Sequence, residues 1–287
     1  DETIAQVLAI PDYSAGDYLV LATQRGLVKK TRLSEYDSNR QGGIIAINLA
    51  DDDELISARL VSETDDLLLF SRKGMSARFT ADDETLRPMG RATSGVIGMR
   101  FRGDDALLAM DVVRPETFVV TVTDGGYAKR TPVVDWATKG RGILGVRAMK
   151  LVEERGSLVG AMVCDAEDQL FAIASNGIVI RTRVVEIRPS GRDTMGVTLM
   201  NLDEGDTIVA VARGEESDDE IDDVDEVEET DVVAEQAPAG DDGEAAPRCV
   251  PHQPRVELEP RKVRPCPQRP ARAIPVPRLR WVGRAVR

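Results

Sequence analysis

The chain has 287 residues, is 42% hydrophobic but only 4% aromatic, and carries a formal net charge of −13. That is ample for a buried core, while three cysteines without a shared spacing exclude a disulfide-stapled scaffold and fit a reducing setting. No apolar run is long enough to cross a bilayer and no signal peptide opens the chain, so a cytoplasmic protein without a membrane role is expected.

Taken in order, residues 1–10 match the pattern of Gly205-Asp-Thr-Ile-Val-Ala-Val-Ala212 and read as the last strand of an unfinished repeat, so a piece of a longer protein is expected. One phrase then recurs: an apolar run, a polar turn ending in glycine, and a run that turns basic. It stands at Leu19–Lys30, Leu67–Arg78, Val119–Arg130 and Leu170–Arg181, with Gly26, Gly74, Gly126 and Gly177 spaced by 48, 52 and 51 residues. A fixed period of this size marks a repeat architecture. Each repeat continues with a second glycine (Gly43, Gly95, Gly142 and Gly196), an apolar run, an acidic or Gly-bearing turn such as Asp51-Asp-Asp-Glu54, and one more apolar stretch. Four strand-length runs rich in Val, Ile, Leu and Thr in about 50 residues predict one propeller-like blade per repeat. The expected fold is all-β: a stray strand and four whole blades over residues 1–213, balanced at −6 in charge.

Two tails follow. Residues 214–244 hold 16 acidic side chains and no basic one, which predicts a disordered tail. Residues 245–287 are Pro- and Arg-rich, with 11 basic and two acidic residues. Their character breaks so sharply from the acidic block that no function is built on them.

Catalytic and metal-binding chemistry find little support. The single histidine, His252, lies in the tail, so no Ser–His–Asp triad fits the repeats. Cys164 sits in an apolar run as a core residue, and Cys249, Cys266 and His252 have no metal-ligand spacing. Gly140-Arg-Gly-Ile-Leu-Gly145 is formally a dinucleotide-binding loop, but the repeat frame makes it a turn into a strand rather than a turn into a helix. The acidic turns lack EF-hand spacing. No catalytic residue, metal or cofactor is expected.

What remains is basic. The residue four after each first glycine is Lys30, Arg78, Arg130 and Arg181, with neighbours Arg25, Lys29, Arg32, Arg72, Lys73, Lys129 and Arg183. Loops before the second glycines add Arg40, Arg91, Lys139, Arg141, Arg188 and Arg192. Presented outward once per blade, these cations form a belt suited to duplex DNA, through its backbone rather than its bases, since few aromatics are available for stacking. The other reading is that they guard exposed strand edges against aggregation.

Phrases such as Asn176-Gly-Ile-Val-Ile-Arg181 and Gly140-Arg-Gly-Ile-Leu-Gly-Val146, followed by the acidic tail, closely resemble the C-terminal domain family of the bacterial DNA gyrase A subunit, in its actinobacterial form. The resemblance covers about residues 1–235. It implies a β-pinwheel that wraps double-stranded DNA at its rim. It further implies a heterotetramer, built with the B subunit and the remainder of the A subunit, that supercoils DNA with ATP at the nucleoid. The family's hallmark Q-R-R-G-G-[KR]-G box is not intact; Gly140-Arg141-Gly142, with Lys139 beside it, resembles a degenerate copy. The family's gate domain with its nucleophilic tyrosine is not matched, and Tyr13, Tyr18, Tyr36 and Tyr127 receive no catalytic role. The C-terminal domain of a topoisomerase IV A subunit, or else a protein-interaction propeller, is the alternative. The acidic tail, tethered beside a cationic rim, is expected to compete with phosphates.

Overall fold

The computed structural model describes residues 4–10, 12–14, 16–38 and 43–214. They form an all-β array of four antiparallel sheets, with no α-helix among the described residues. Each sheet is built on a hairpin: β1 (Tyr18–Thr23) with β2 (Leu27–Arg32), β4 (Asp66–Ser71) with β5 (Met75–Thr80), β8 (Phe118–Thr123) with β9 (Tyr127–Pro132), and β12 (Gln169–Ala174) with β13 (Val179–Arg183). The final apolar run of each repeat adds a strand beside the first hairpin strand: β3 (Leu55–Val61), β7 (Leu107–Val112), β11 (Leu158–Cys164) and β15 (Ile208–Gly214). The pairing register repeats too, with Val20 opposite Lys30, Leu68 opposite Arg78, Val120 opposite Arg130 and Phe171 opposite Arg181.

Four blades are present as expected, but a repeat and a blade are not the same segment. The run after the second glycine crosses to the preceding blade. β6 (Val96–Ile97) pairs with β2, β10 (Val146–Arg147) with β5, and β14 (Val197–Thr198) with β9. The last sheet therefore has three strands, β13-β12-β15. This exchange explains the first glycines. Gly26, Gly74 and Gly126 have φ near +80°, and a Cβ there would meet Met99 O at 2.5 Å, Met149 O at 2.9 Å and Met200 O at 2.5 Å, each a carbonyl of the visiting run. Gly177 has the same φ but nothing within 4 Å, because no run visits its blade.

The exchange also corrects one register. A Cβ on Gly95 or Gly196 would press on Val28 O or Ala128 O, and in the third repeat the residue so placed against Ser76 O is Gly145, not Gly142. The true phrase is Gly95-Val-Ile-Gly-Met99, Gly145-Val-Arg-Ala-Met149 and Gly196-Val-Thr-Leu-Met200. A second correction falls at the N-terminus. Residues 4–10 form no strand; Gln6 Oε1 instead accepts the Ala58 N–H of β3 at 2.8 Å, and Ile10 is buried.

The cores lie between blades. Val20 and Ala22 of β1 pack with Leu67 and Leu69 of β4, while Leu68 and Phe70 of β4 face Val119 and Val163. Val120 and Val122 of β8 meet Leu170 and Ala172. Strands buried on both faces need no polar alternation, so the hairpin runs are continuously apolar. Both tails, residues 215–287, lie outside the described residues.

Candidate nucleic-acid interface

Aligned on Gly95, Gly145 and Gly196, the loops that precede the exchanged strands share a Gly-Arg pair: Gly90-Arg91, Gly140-Arg141 and Gly191-Arg192. The backbone anchors each loop to the hairpin behind it, since Met89 N donates to Lys30 O, Lys139 N to Arg78 O and Ser190 N to Arg130 O. Each loop also touches the run of the repeat before it: Asn48 N donates to Thr93 O, Arg100 N to Ile143 O and Lys150 N to Thr194 O, at 2.9 to 3.0 Å. Side chains reinforce the same contacts. Asn48 Nδ2 donates to Ala92 O and Arg100 Nε to Gly142 O, while Arg141 Nη1 reaches Ile97 O at 3.1 Å and Arg192 Nη1 reaches Arg147 O at 3.3 Å. The outer edge is thus a chain of loops linked edge to edge, with an aligned arginine in each loop. Arg141 is exposed, and Arg91 and Arg192 are half-buried. A guanidinium has five N–H donors, so these contacts leave several for an incoming oxygen.

The expectation that the position four past each first glycine faces outward needs correction. Lys30 is fully buried: Nζ donates to Ala81 O and Asp83 Oδ1, both at 2.7 Å, and lies 4.4 Å from the Tyr18 ring centroid. Arg78 pairs with Asp66 at 2.8 Å and donates to Trp136 O. Burial pushes the Asp66 carboxyl up, but hydrogen bonds from Thr138, Thr80 and Arg78 outweigh it and hold the pKa below the usual range. Arg130 stacks 4.7 Å over Phe118. Only Arg181 is exposed, its Nε on Gln169 at 2.6 Å. The residue eight before the glycine (Tyr18, Asp66, Phe118 or Gln169) is the partner in every blade, so this repeated cation braces its own hairpin. Lys29 and Lys129 are also buried, because their stems enter the space beneath the loops rather than solvent.

The remaining cations divide by place. Arg25 and Lys73, at the hairpin turns, are paired with Asp52 (2.6 Å) and Asp104 of the acidic turns. Arg32, Arg72, Lys139, Arg183 and Arg188 are exposed, with Arg183 near Glu186 at 3.4 Å. Arg40 lies outside the described residues. The exposed Arg87, Arg100 and Lys150 of the loop edge were not anticipated. Alignment on Gly145 would have found the last two, each five residues after its second glycine.

Comparison with known proteins decides the family. The model of the DNA gyrase C-terminal domain, beta-propeller, matches residues 17–62, 65–114, 117–165 and 168–214, one segment per repeat. The chain belongs to the DNA gyrase C-terminal domain family. It is 59% identical over 252 residues to the DNA gyrase A subunit of Streptomyces coelicolor, covering 85% of this chain and 29% of that protein. The corresponding protein of Mycolicibacterium smegmatis is 55% identical over 219 residues, covering 76% and 26%. The chain thus spans less than a third of these gyrase proteins. Among solved structures, a DNA gyrase A C-terminal domain matches with a TM-score of 0.61 at 26% identity, over 68% of this chain and 65% of that one. A topoisomerase IV C-terminal domain matches at 0.68 and 23% identity, over 74% and 66%, a likeness of fold. No helix among the described residues is long and apolar enough to cross a membrane.

Proposed function

We propose that this gyrase C-terminal domain binds duplex DNA along its loop edge, without reading base sequence, and wraps it around the blades. The observation that carries this is the aligned arginine present in each loop, Arg91, Arg141 and Arg192, on loops tied into one continuous edge. Cations at blade spacing neutralise phosphates at intervals along a bent duplex, and each phosphate met releases condensed counterions. In the whole enzyme the domain works within a heterotetramer of gyrase A and gyrase B chains. Wrapping hands a DNA segment of fixed handedness to the strand-passage gate, and ATP hydrolysis elsewhere in the complex drives negative supercoiling. This chain contributes no catalytic group and no cofactor to that cycle. Its substrate is chromosomal DNA, so the domain acts in the cytoplasm at the nucleoid. Relatives at 55% and 59% identity that are gyrase A chains favour gyrase over the topoisomerase IV reading.

The test is a duplex-binding titration over a salt series with the 287-residue chain and an R87E K139E R188E variant. These three side chains are exposed and make no ion pair among the described residues, so the fold should be unchanged. The log–log salt slope should fall in magnitude by about 3 in the variant, near 0.9 per phosphate contact. An unchanged slope rejects the loop edge as the DNA track.

A further inference from the structure

Lys29 and Lys129 hold equivalent places, three residues past Gly26 and Gly126, and neither side chain reaches solvent. A buried ammonium is costly unless oxygens surround it. Lys29 Nζ donates to Ala46 O at 2.5 Å and to Arg91 O. Lys129 Nζ donates to Gly191 O at 2.8 Å, to Arg192 O, and to Thr194 Oγ1 at 3.4 Å. In both blades the carbonyl held belongs to the arginine of the loop edge. The two receiving loops also share a phrase, Arg87-Pro-Met-Gly-Arg91-Ala-Thr93 and Arg188-Pro-Ser-Gly-Arg192-Asp-Thr194.

The blade between them is built otherwise. Ala77 stands where the lysine would, and the loop reads Ala137-Thr-Lys-Gly-Arg141. Trp136, the counterpart of Leu86 and Ile187, lies in a different cluster from Ala77 and donates Nε1 to Ser76 Oγ at 2.8 Å, beside a cavity of about 100 Å³. Lysine thus accompanies one loop sequence and alanine the other. A purely structural space-filler would not have to follow the loop sequence.

We propose that Lys29 and Lys129 are positioning residues for DNA: each buried ammonium fixes the peptide of a loop-edge arginine, Arg91 or Arg192, and so sets where its guanidinium meets phosphate. This rests on the DNA-wrapping reading above. It makes the grip on duplex depend on one proton per loop. Burial pushes both lysines down to about 8. Around Lys29, Glu35 opposes that shift and Arg91 adds to it; around Lys129, Asp193 and Asp135 oppose it and Arg192 adds. The Tyr36 hydroxyl, which shares Ala46 O, is itself pushed up by burial and stays neutral in this range. A neutral amine has two N–H donors and a lone pair. When the proton leaves, the bonds to the Arg91 and Arg192 carbonyls weaken from charge-assisted to neutral ones, and the Thr194 hydroxyl can turn to donate to the Lys129 lone pair.

The sign separates grip from stability. The folded pKa lies below the unfolded value, so between about 8 and 10.4 the unfolded chain holds the proton more often, and stability does not fall with rising pH on this account. Affinity for duplex should therefore drop while the melting temperature does not.

The test titrates the 287-residue chain and a K29M K129M variant with random-sequence duplex from about pH 7 to 9.5. Wild-type affinity should fall about tenfold, the size of one or two charge-assisted hydrogen bonds weakened to neutral ones. The variant should start weaker and stay flat. In native wild-type protein, amide exchange in loop 188–194 should accelerate beyond ordinary base catalysis over the same range, and loop 137–142 should not; this readout needs no variant to fold. Parallel pH profiles in the two proteins, or equal exchange behaviour of the two loops, would overturn the lysine role while wild-type binding leaves the DNA reading standing. No duplex binding by wild type at any pH would overturn both.

Discussion

Charge reversal at Arg78 and at Arg181 separates a bracing cation from a surface one. The two residues are equivalent in register, yet Arg78 is 18% exposed against an Asp66 that is 15% exposed, while Arg181 is open to solvent. In R78E a carboxylate replaces the guanidinium 2.8 Å from Asp66, and Trp136 O loses its donor. Removing one partner of a buried pair costs about 3–5 kcal/mol, and the residual exposure here points to the lower end. At roughly 2–4 °C per kcal/mol for a domain of this size, R78E should melt about 6–12 °C below wild type. R181E loses a part-buried hydrogen bond between neutral Gln169 and a solvent-exposed guanidinium and should shift by no more than about 1 kcal/mol, or a few degrees. Circular-dichroism melts of the 287-residue chain read both. If R78E and R181E melt together at the wild-type temperature and lose duplex binding equally, the repeated cation is a phosphate contact, and the bracing role assigned to it is wrong.

The glycine turns give a matched pair. G126A and G177A both force alanine to φ near +90°, at about 1–2 kcal/mol, but only the first also drives a Cβ toward Met200 O and strains the Leu199 and Met200 N–H bonds to Gly126 O. Urea unfolding should place G126A about 2 kcal/mol below G177A, and equal midpoints would mean that strand exchange does not hold the blades. Removing residues 215–287 takes away 16 acidic side chains near the junction and should tighten duplex binding at low salt, with the gain shrinking as salt rises. Affinity unchanged across the salt series would reject competition between tail and phosphate.

The repeat was legible because hairpins are local: an apolar run, a turn glycine and a second run declare a blade without any distant contact. Strand exchange was not legible. Val96–Ile97 is a plausible strand in either its own blade or the one before, and nothing local to it chooses; the choice is made by Gly26 and Gly95, which permit close approach of two backbones more than 60 residues apart in the chain. The same blindness misplaced the third repeat. Gly142 and Gly145 both open an apolar run, and only contact with Ser76 O tells them apart. For the site, the count of cations centred on Lys30 and Arg78, which are buried and half-buried, and ranked Arg91, Arg141 and Arg192 only as additions from the loops. Sequence reports charge, whereas the exposure of this cation depends on how it packs against the residue twelve positions upstream.

Because each outer strand is lent by the following repeat, the loops of this edge are each fixed to two repeats at once. Arg141 belongs to the third repeat, but its loop hangs on Arg78 O of the second blade and its side chain on Ile97 O, in the strand lent to the first. The spacing between successive loop-edge arginines is therefore set largely by contacts to neighbouring repeats rather than within the loop itself. A rim that must match a stiff polyanion gains from this, since phosphate contacts add only if all are in register together. It follows that a core change which shifts one exchanged strand should weaken duplex binding at several loops even when the surface charges are untouched.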